Sequence, residues 1–437
     1  MFCALGEEGQ QAFRRKLAQI PLLCISYFIR RNNDCALRGL DNMGGIKAEM
    51  IEAEERGWYA PDTYVCADCV EDVFLKSLIE NSSEVSTCDY CGRKSDEAIA
   101  ATTEVIIKAI ADTAYYYFNE PTNSGMPWNE GAPVIDTIDT GDVLESIGLD
   151  CHDGLREDIV AAFCNWGWVR TAGGHWSSLH PHEIMSVSWI RFTHAVKHET
   201  RYFFTNLKSE EPDEYSPTTL LKKIGELVDE LPLISRLPEG MRLYRVRERR
   251  NDESWEINAK EMGAPPCRKA GAGRMNPAGI SYLYLAQELE TAVTEVSSEP
   301  PCQAAFAEFL VRRELTVIDL CQINSLPSIF DNDCRDEREG LLFIADFVEK
   351  ISEPVTKDGR EHIDYIPSQV VSEFFSQIFR SANGERIHGM VYPSAVHQGG
   401  RNVVLFPTGE LHAGFDSLVE YQSGKLVDYA PPLYSMV

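Results

Sequence analysis

The feature that most limits how this chain can fold is a doubled cysteine pair, Cys66-Ala-Asp-Cys69 and Cys88-Asp-Tyr-Cys91. With 18 residues between Cys69 and Cys88, the two turns can fold back on each other and present four thiolates tetrahedrally to one ion. Gly92 follows the last cysteine and permits the tight turn that aims backbone N–H groups at sulfur. Four sulfurs leave no open coordination position, so the expectation is a structural zinc held by Cys66, Cys69, Cys88 and Cys91. A redox dithiol would need only one of the two pairs. The other nine of the 13 cysteines show no pairing logic. With no export signal at Met1, they read as free thiols.

At 437 residues the chain exceeds one ordinary core, so two domains are expected. A formal net charge of -27 excludes a general binder of nucleic-acid backbone, whose affinity rests on clustered Lys and Arg. The apolar run at 20–29 is broken by Pro21 and Ser26 and is too short to cross a bilayer. The reading is a soluble cytoplasmic protein with no membrane partner.

The N-terminal part reads as mainly helical. Periodicity places helices at 10–20, 46–56, 97–118 and 157–166, and a long one from 183 to 204. On that last helix Met185, Trp189, Phe192, Val196 and Phe203 fall on one face, and Arg191, His194, His198 and Arg201 on another. Residues 209–217 are acidic and twice interrupted by proline, which marks a linker. An amphipathic helix at 218–231 follows, expected to pack at the seam between domains. Beyond it β-prone runs dominate, at 243–246, 280–285, 304–312, 315–320, 389–392 and 402–407. The overall class is therefore α+β in two domains. The Gly271-Ala-Gly-Arg-Met-Asn276 stretch lacks the third glycine and the βαβ setting of a dinucleotide fingerprint, so a Rossmann site is rejected.

Three stretches of the second part carry a resemblance. They are Leu243-Tyr-Arg-Val-Arg247, the glycine-rich run from Ala270 through Tyr284 to Glu295, and Gly389-Met-Val-Tyr-Pro-Ser394 through Phe406. Together they resemble the RES family, named for an Arg, a Glu and a Ser, here Arg245, Glu295 and Ser394. Arg274 and Asn276 stand in the family's glycine-rich stretch, Tyr284 in its "YLA", and Gln369 at a further similar position, and the resemblance implies that these residues contact the ligand. The sequence departs at Met275, where the family usually carries Trp. The wording of the 189–204 helix is similar to the HEPN-type domain found joined to RES domains.

That resemblance implies these boundaries: a helical HEPN-like domain at 1–206 with the zinc site at 64–92, a linker and helix at 207–236, a β-rich, ADP-ribosyltransferase-like RES domain at 237–416, and a tail at 417–437. It implies NAD as substrate and cleavage of the bond between nicotinamide and ribose, in a toxin-like or defence effector. Glu295 would stabilise the sugar cation, Arg245 and Arg274 grip the diphosphate, Tyr284 or Tyr282 face the nicotinamide ring, and Ser394 position the ribose. The acceptor is left open among water, phosphate and a protein side chain, with Arg401 or His397 as candidates for recruiting phosphate. Two readings of the N-terminal part stand beside this. One is an RNase using Arg191 and His198, with the RES-like half sensing a nucleotide. The other is a module for self-association or for a regulatory partner.

Overall fold

The computed structural model describes residues 52–429 apart from positions 54, 166, 210, 250–252, 297–301, 324, 354–360 and 408–414. The helix expected at 10–20 and the start of the one at 46–56 lie outside the described residues. The chain divides into two compact units. One comprises the described residues through His180 together with Pro327–Arg338; the other holds Pro181–Leu326 and the rest. Residues 181–206, read from sequence as the end of the first domain, therefore pack with the second unit.

In the first unit, a short antiparallel pair, β1 (Tyr64–Cys66) and β2 (Ala100–Thr102), stands beside four helices. These are α1 (Val73–Asn81), α2 (Glu104–Tyr117), α3 (Thr140–Ser146) and α4 (Asp153–Ala162). Asp72 caps α1 by accepting from the Phe74 and Leu75 amides, and Asp139 forms a capping box with Asp142 at α3. Ile106, Ile107, Ile110 and Ala114 of α2 recur at helical spacing and are fully buried, which makes α2 the central helix of this core.

The second unit is built on a mixed sheet of eight strands. In chain order its elements are α5 (Pro181–His194), α6 (Pro217–Glu230), β3 (Ile234–Leu237), β4 (Arg242–Arg249), β5 (Leu283–Ala286), α7 (Leu289–Thr294), β6 (Cys302–Val311) and β7 (Leu315–Asp319). They continue with α8 (Arg335–Ser352, which belongs to this unit from Glu339 on), α9 (Ile366–Glu373), β8 (Gly389–Pro393), β9 (Arg401–Leu405) and β10 (Val419–Tyr429). The strand order is β10-β6-β4-β5-β9-β8-β7-β3, and only the β7–β8 pair is parallel.

Strand alternation divides the sheet's side chains between two cores. Met390, Tyr392, Val404 and Tyr282 join the apolar stripes of α5, α6, α8 and α9. Leu283, Leu285, Val391, Val403 and Leu405 form a separate core with residues of β3, β4 and β6. Helix α6 buries Leu220, Leu221, Ile224 and Val228 in the first of these cores, which is a core of the second unit and not a seam.

Two expectations are corrected here. The long helix from 183 breaks: α5 ends at His194, a π turn covers Ala195–Glu199, and Thr200 is extended. The break resets the helical phase, so Phe203, expected on the buried face, is 71% exposed. The segment from 417, read as a tail, supplies the 11-residue edge strand β10, paired along β6 with a bulge at Glu308/Phe309. That bulge shifts the alternation, and Gly424 interrupts it again.

Candidate functional site

The sheet forks at one place. Strands β4 and β5 are paired only at Tyr244↔Ala286, so they diverge from that point towards Arg245 on one side and Tyr284 on the other. Arg245 is half-buried and donates to the Gly263 carbonyl at 2.8 Å. It makes no ion pair with any described residue. Burial, with Arg247 nearby, pushes its guanidinium down to about 10. A desolvated cation without a carboxylate is stabilised by an anionic ligand.

The carboxylate stands at the closed end of the fork. Glu295 follows α7, and its Oε1 accepts from Ser394 Oγ at 2.7 Å and from Asn402 Nδ2 at 2.6 Å. Oε2 has no hydrogen bond among the described residues. Asn402 pairs with Ala286, the residue at which β5 meets β4, and so ties the carboxylate to the apex. Ser394 leaves β8 into a loop closed on itself. Its amide donates to the Gly400 carbonyl at 2.9 Å, and its hydroxyl accepts from the His397 amide at 3.1 Å. A Cβ on Gly400 would fall 2.5 Å from Thr291 Oγ1, so only glycine lets this loop lie against α7.

A second ring of contacts fixes that loop. Thr291 Oγ1 lies 2.8 Å from both Glu288 Oε2 and His397 Nδ1, and the Arg401 amide donates to the same Glu288 oxygen at 3.0 Å. The Arg401 guanidinium is paired with buried Asp319. Arg401 and His397, offered from sequence as phosphate recruiters, are thus engaged inside the protein.

The remaining residues of the glycine-rich stretch act on the backbone. Tyr284 donates to Asn276 Oδ1 at 2.7 Å and accepts from the Met275 amide at 3.0 Å. Asn276, 4% exposed, donates to the carbonyls of Gly271, Pro277 and Ile280. Gln369 spans the carbonyls of Gly273 and Asn276 at 2.8 and 3.0 Å. Asn276 and Gln369, expected to bind the ligand, therefore shape the loop beside the fork. Asn276→Ala leaves the Gly271 and Ile280 carbonyls and the Tyr284 hydroxyl hydrogen without a partner. It is expected to cost about 2–4 kcal/mol in urea unfolding. A loss under about 0.5 kcal/mol, the size of a surface change, would show that the loop does not depend on it.

Arg274 is engaged with main chain. It donates to the carbonyls of Ile351 and Glu353 and lies over Tyr365, lining a cavity of about 400 Å³ with Lys197, Lys350 and Asp364. Tyr282 is buried with its ring centre 5.2 Å from that of Phe406, in the core and not in the fork. Met275, the departure from the family pattern, is also buried core.

Sequence reasoning missed Asn402 and Tyr392. Tyr392 is 7% exposed, and its hydroxyl makes no hydrogen bond among the described residues. Burial raises its pKa, with Tyr284 and Glu295 adding to the effect, so it lies within electrostatic reach of both. A buried Asn inside an otherwise apolar β run was the available signal for Asn402.

On α5 and the π turn, Arg191 and His194 both engage Glu199, the latter at 2.9 Å. Arg191 holds the Glu199 carboxyl below its usual range. The His198 ring lies 5.3 Å from that of His194. A carboxylate thus occupies the arginine that an RNase would need for phosphate.

In the first unit the four cysteines converge. Their sulfurs all lie within 4.8 Å of one another, with neighbours at 3.5, 3.6 and 3.8 Å. A tetrahedral ion with sulfur bonds of about 2.3 Å requires edges of about 3.8 Å, so the set fits such an ion. The Cys66 amide donates to Cys88 Sγ at 3.3 Å, and Gly92 takes φ 70°, as the turn requires. Without a cation, burial pushes the Cys66 thiol up to about 12.

No helix among the described residues is long and apolar enough to cross a membrane. The family model for the HEPN/RES N-terminal domain 1 matches residues 81–210, and that for the RES domain matches residues 242–423. No curated protein matches the chain. The forked sheet, the Arg245, Glu295 and Ser394 set upon it and the two matches agree: the chain belongs to the RES-domain family, with a HEPN-type N-terminal domain.

Proposed function

We propose that this protein is an NAD-consuming enzyme that cleaves the nicotinamide–ribose bond, with an ADP-ribosyltransferase-like catalytic domain. The observation that carries the reading is Glu295: one carboxylate oxygen is held by Ser394 and Asn402 while the other has no hydrogen bond among the described residues, at the apex of a fork that also presents Arg245, which makes no ion pair with any described residue. Nicotinamide in NAD is a cationic pyridinium and departs as a neutral molecule, so one carboxylate suffices. Oε2 accepts from the ribose 2′-hydroxyl and stabilises the sugar cation. Arg245 binds the diphosphate, and Tyr284 and Tyr392 line the fork near the ring. The same first step serves water, phosphate or a protein side chain as acceptor.

Incubating the protein with NAD, with and without phosphate, and identifying products by NMR tests this. Loss of nicotinamide only with phosphate means phosphorolysis, and loss in both cases means hydrolysis. NAD left intact in cells arrested by expression of the protein would refute NAD consumption as the toxic act.

We assign the N-terminal part to control and association, not to RNA cleavage. With Arg191 on Glu199, purified protein is expected to leave RNA intact, as is His198→Ala. RNA cleavage that His198→Ala abolishes and Glu295→Ala spares would overturn this assignment. The ion at the four cysteines is read as structural zinc.

A further inference from the structure

A second cavity, of about 310 Å³, opens at the far end of the strand pair that carries Ser394. It is lined by Arg313, Arg386, His388, Phe406, Ser417 and neighbouring backbone. His388 directly precedes β8 and Ser394 directly follows it. Six residues of extended chain put the cavity about 20 Å from the Glu295 carboxylate's partner. Among the described residues, none that lines it is acidic. The nearby carboxylates are turned elsewhere: Glu385 is bonded to Arg236 at 2.6 Å, and Glu314 lies 3.7 Å from the same arginine.

The imidazole of His388 exposes the site's chemistry. The Thr316 amide donates to Nδ1 at 3.2 Å, and Arg313 Nη2 lies 3.1 Å from Nε2. A neutral imidazole accepts at one nitrogen only. The Thr316 amide is fixed in the sheet, so Nδ1 is the acceptor and Nε2 carries the hydrogen. That hydrogen faces guanidinium donors. Burial and the charges of Arg313, Arg386 and Arg236 keep the ring neutral by lowering its pKa. Two donors therefore point at each other across a cavity edge, with no acceptor from the described residues between them. Arg386, also on the cavity wall, donates to the Pro407 carbonyl at 2.9 Å.

We infer that this cavity is a binding site for a phosphate-class oxyanion, whose oxygens accept from Arg313 and from His388 Nε2–H, with the charge of Arg386 on the same wall. Bidentate guanidinium groups and a neutral N–H donor suit a phosphoryl group, and the volume leaves room for a small molecule attached to it. The site stands independently of the NAD reading.

The test is a titration of the full chain, with no NAD present, followed through the His388 ring protons by NMR. The signals are assigned by their loss in His388→Gln. Inorganic phosphate and ribose 5-phosphate form the two arms, and the tighter midpoint tells the free anion from a phosphomonoester. A saturable shift is expected, weakened about tenfold in Arg313→Ala. Arg313 lies on the surface, so that variant keeps its fold, and its NAD affinity by saturation-transfer NMR should stay unchanged. No saturable shift in either arm, or an Arg313→Ala midpoint equal to that of wild type, would overturn the inference. Because the signal is local to His388, phosphate acting as co-substrate at the fork does not imitate it.

Discussion

Replacing Glu295 with Gln is expected to lower NAD turnover by about 10²–10³-fold while NAD affinity stays within a few-fold of wild type. The geometry makes this substitution unusually clean. Both hydrogen bonds that hold the carboxylate arrive at Oε1, from Ser394 and Asn402. A glutamine can keep both at its carbonyl oxygen. Only the open atom changes, from a charged acceptor to an NH₂ donor, so the substitution removes the charge that faces the developing sugar cation. That charge acts chiefly in the transition state, and the loss falls on kcat instead of KM. Arg245→Ala should behave in the opposite sense. It removes a cation that neutralises the bound diphosphate in ground and transition state alike, so KM rises several-fold or more. Steady-state kinetics by nicotinamide release separate the two. Unchanged kcat in Glu295→Gln would remove Glu295 from the chemistry.

The two effects also show which parts of the site were readable before the fold was known. The strand cores at 243–246 and 389–392 are found within β4 and β8, and that at 402–407 overlaps β9; in β8 and β9 consecutive residues are buried on both faces, whereas β4 buries only Leu243 and Val246. Strand β3 escaped because it is only four residues long, between Pro232 and Pro238. Strand β10 escaped because its alternation is broken by a bulge in its partner and by Gly424.

Glu295 and Ser394, 99 residues apart, are brought to 2.7 Å as the family pattern implies. The role of Asn402 depends on its register against Ala286, a property of the folded sheet and not of any local stretch. Arg274, Asn276 and Gln369 were read as ligand groups from the family resemblance, yet their donors go to main-chain carbonyls. Residue type says what a side chain can donate; only the fold says which acceptor reaches it first.

Removal of metal from the four cysteines is expected to unfold the first unit while leaving the eight-stranded sheet of the second in place. Metal analysis of the purified protein should give about one zinc per chain. The reason lies in where the cysteines sit. Cys66 ends β1, and Cys66, Cys69 and Cys88 are buried in one core with Val65, Val70 and Leu75. Four clustered sulfurs in that setting are poorly served as thiols. As thiolates they repel one another unless a cation lies between them, so the ion's binding free energy becomes folding free energy. Structural zinc sites supply about 10–16 kcal/mol in small peptides, comparable to the whole stability of a domain. Cys66→Ser should therefore lose both the ion and hydrogen-exchange protection of α1 and α2. The exposed Cys267 provides the control, since Cys267→Ser removes a thiol from the second unit and should change neither. Hydrogen exchange read by mass spectrometry resolves the two units separately, before and after chelation. Full protection of α2 in metal-free wild type would mean that the apolar core alone holds this unit, and that the cysteines serve some purpose other than folding.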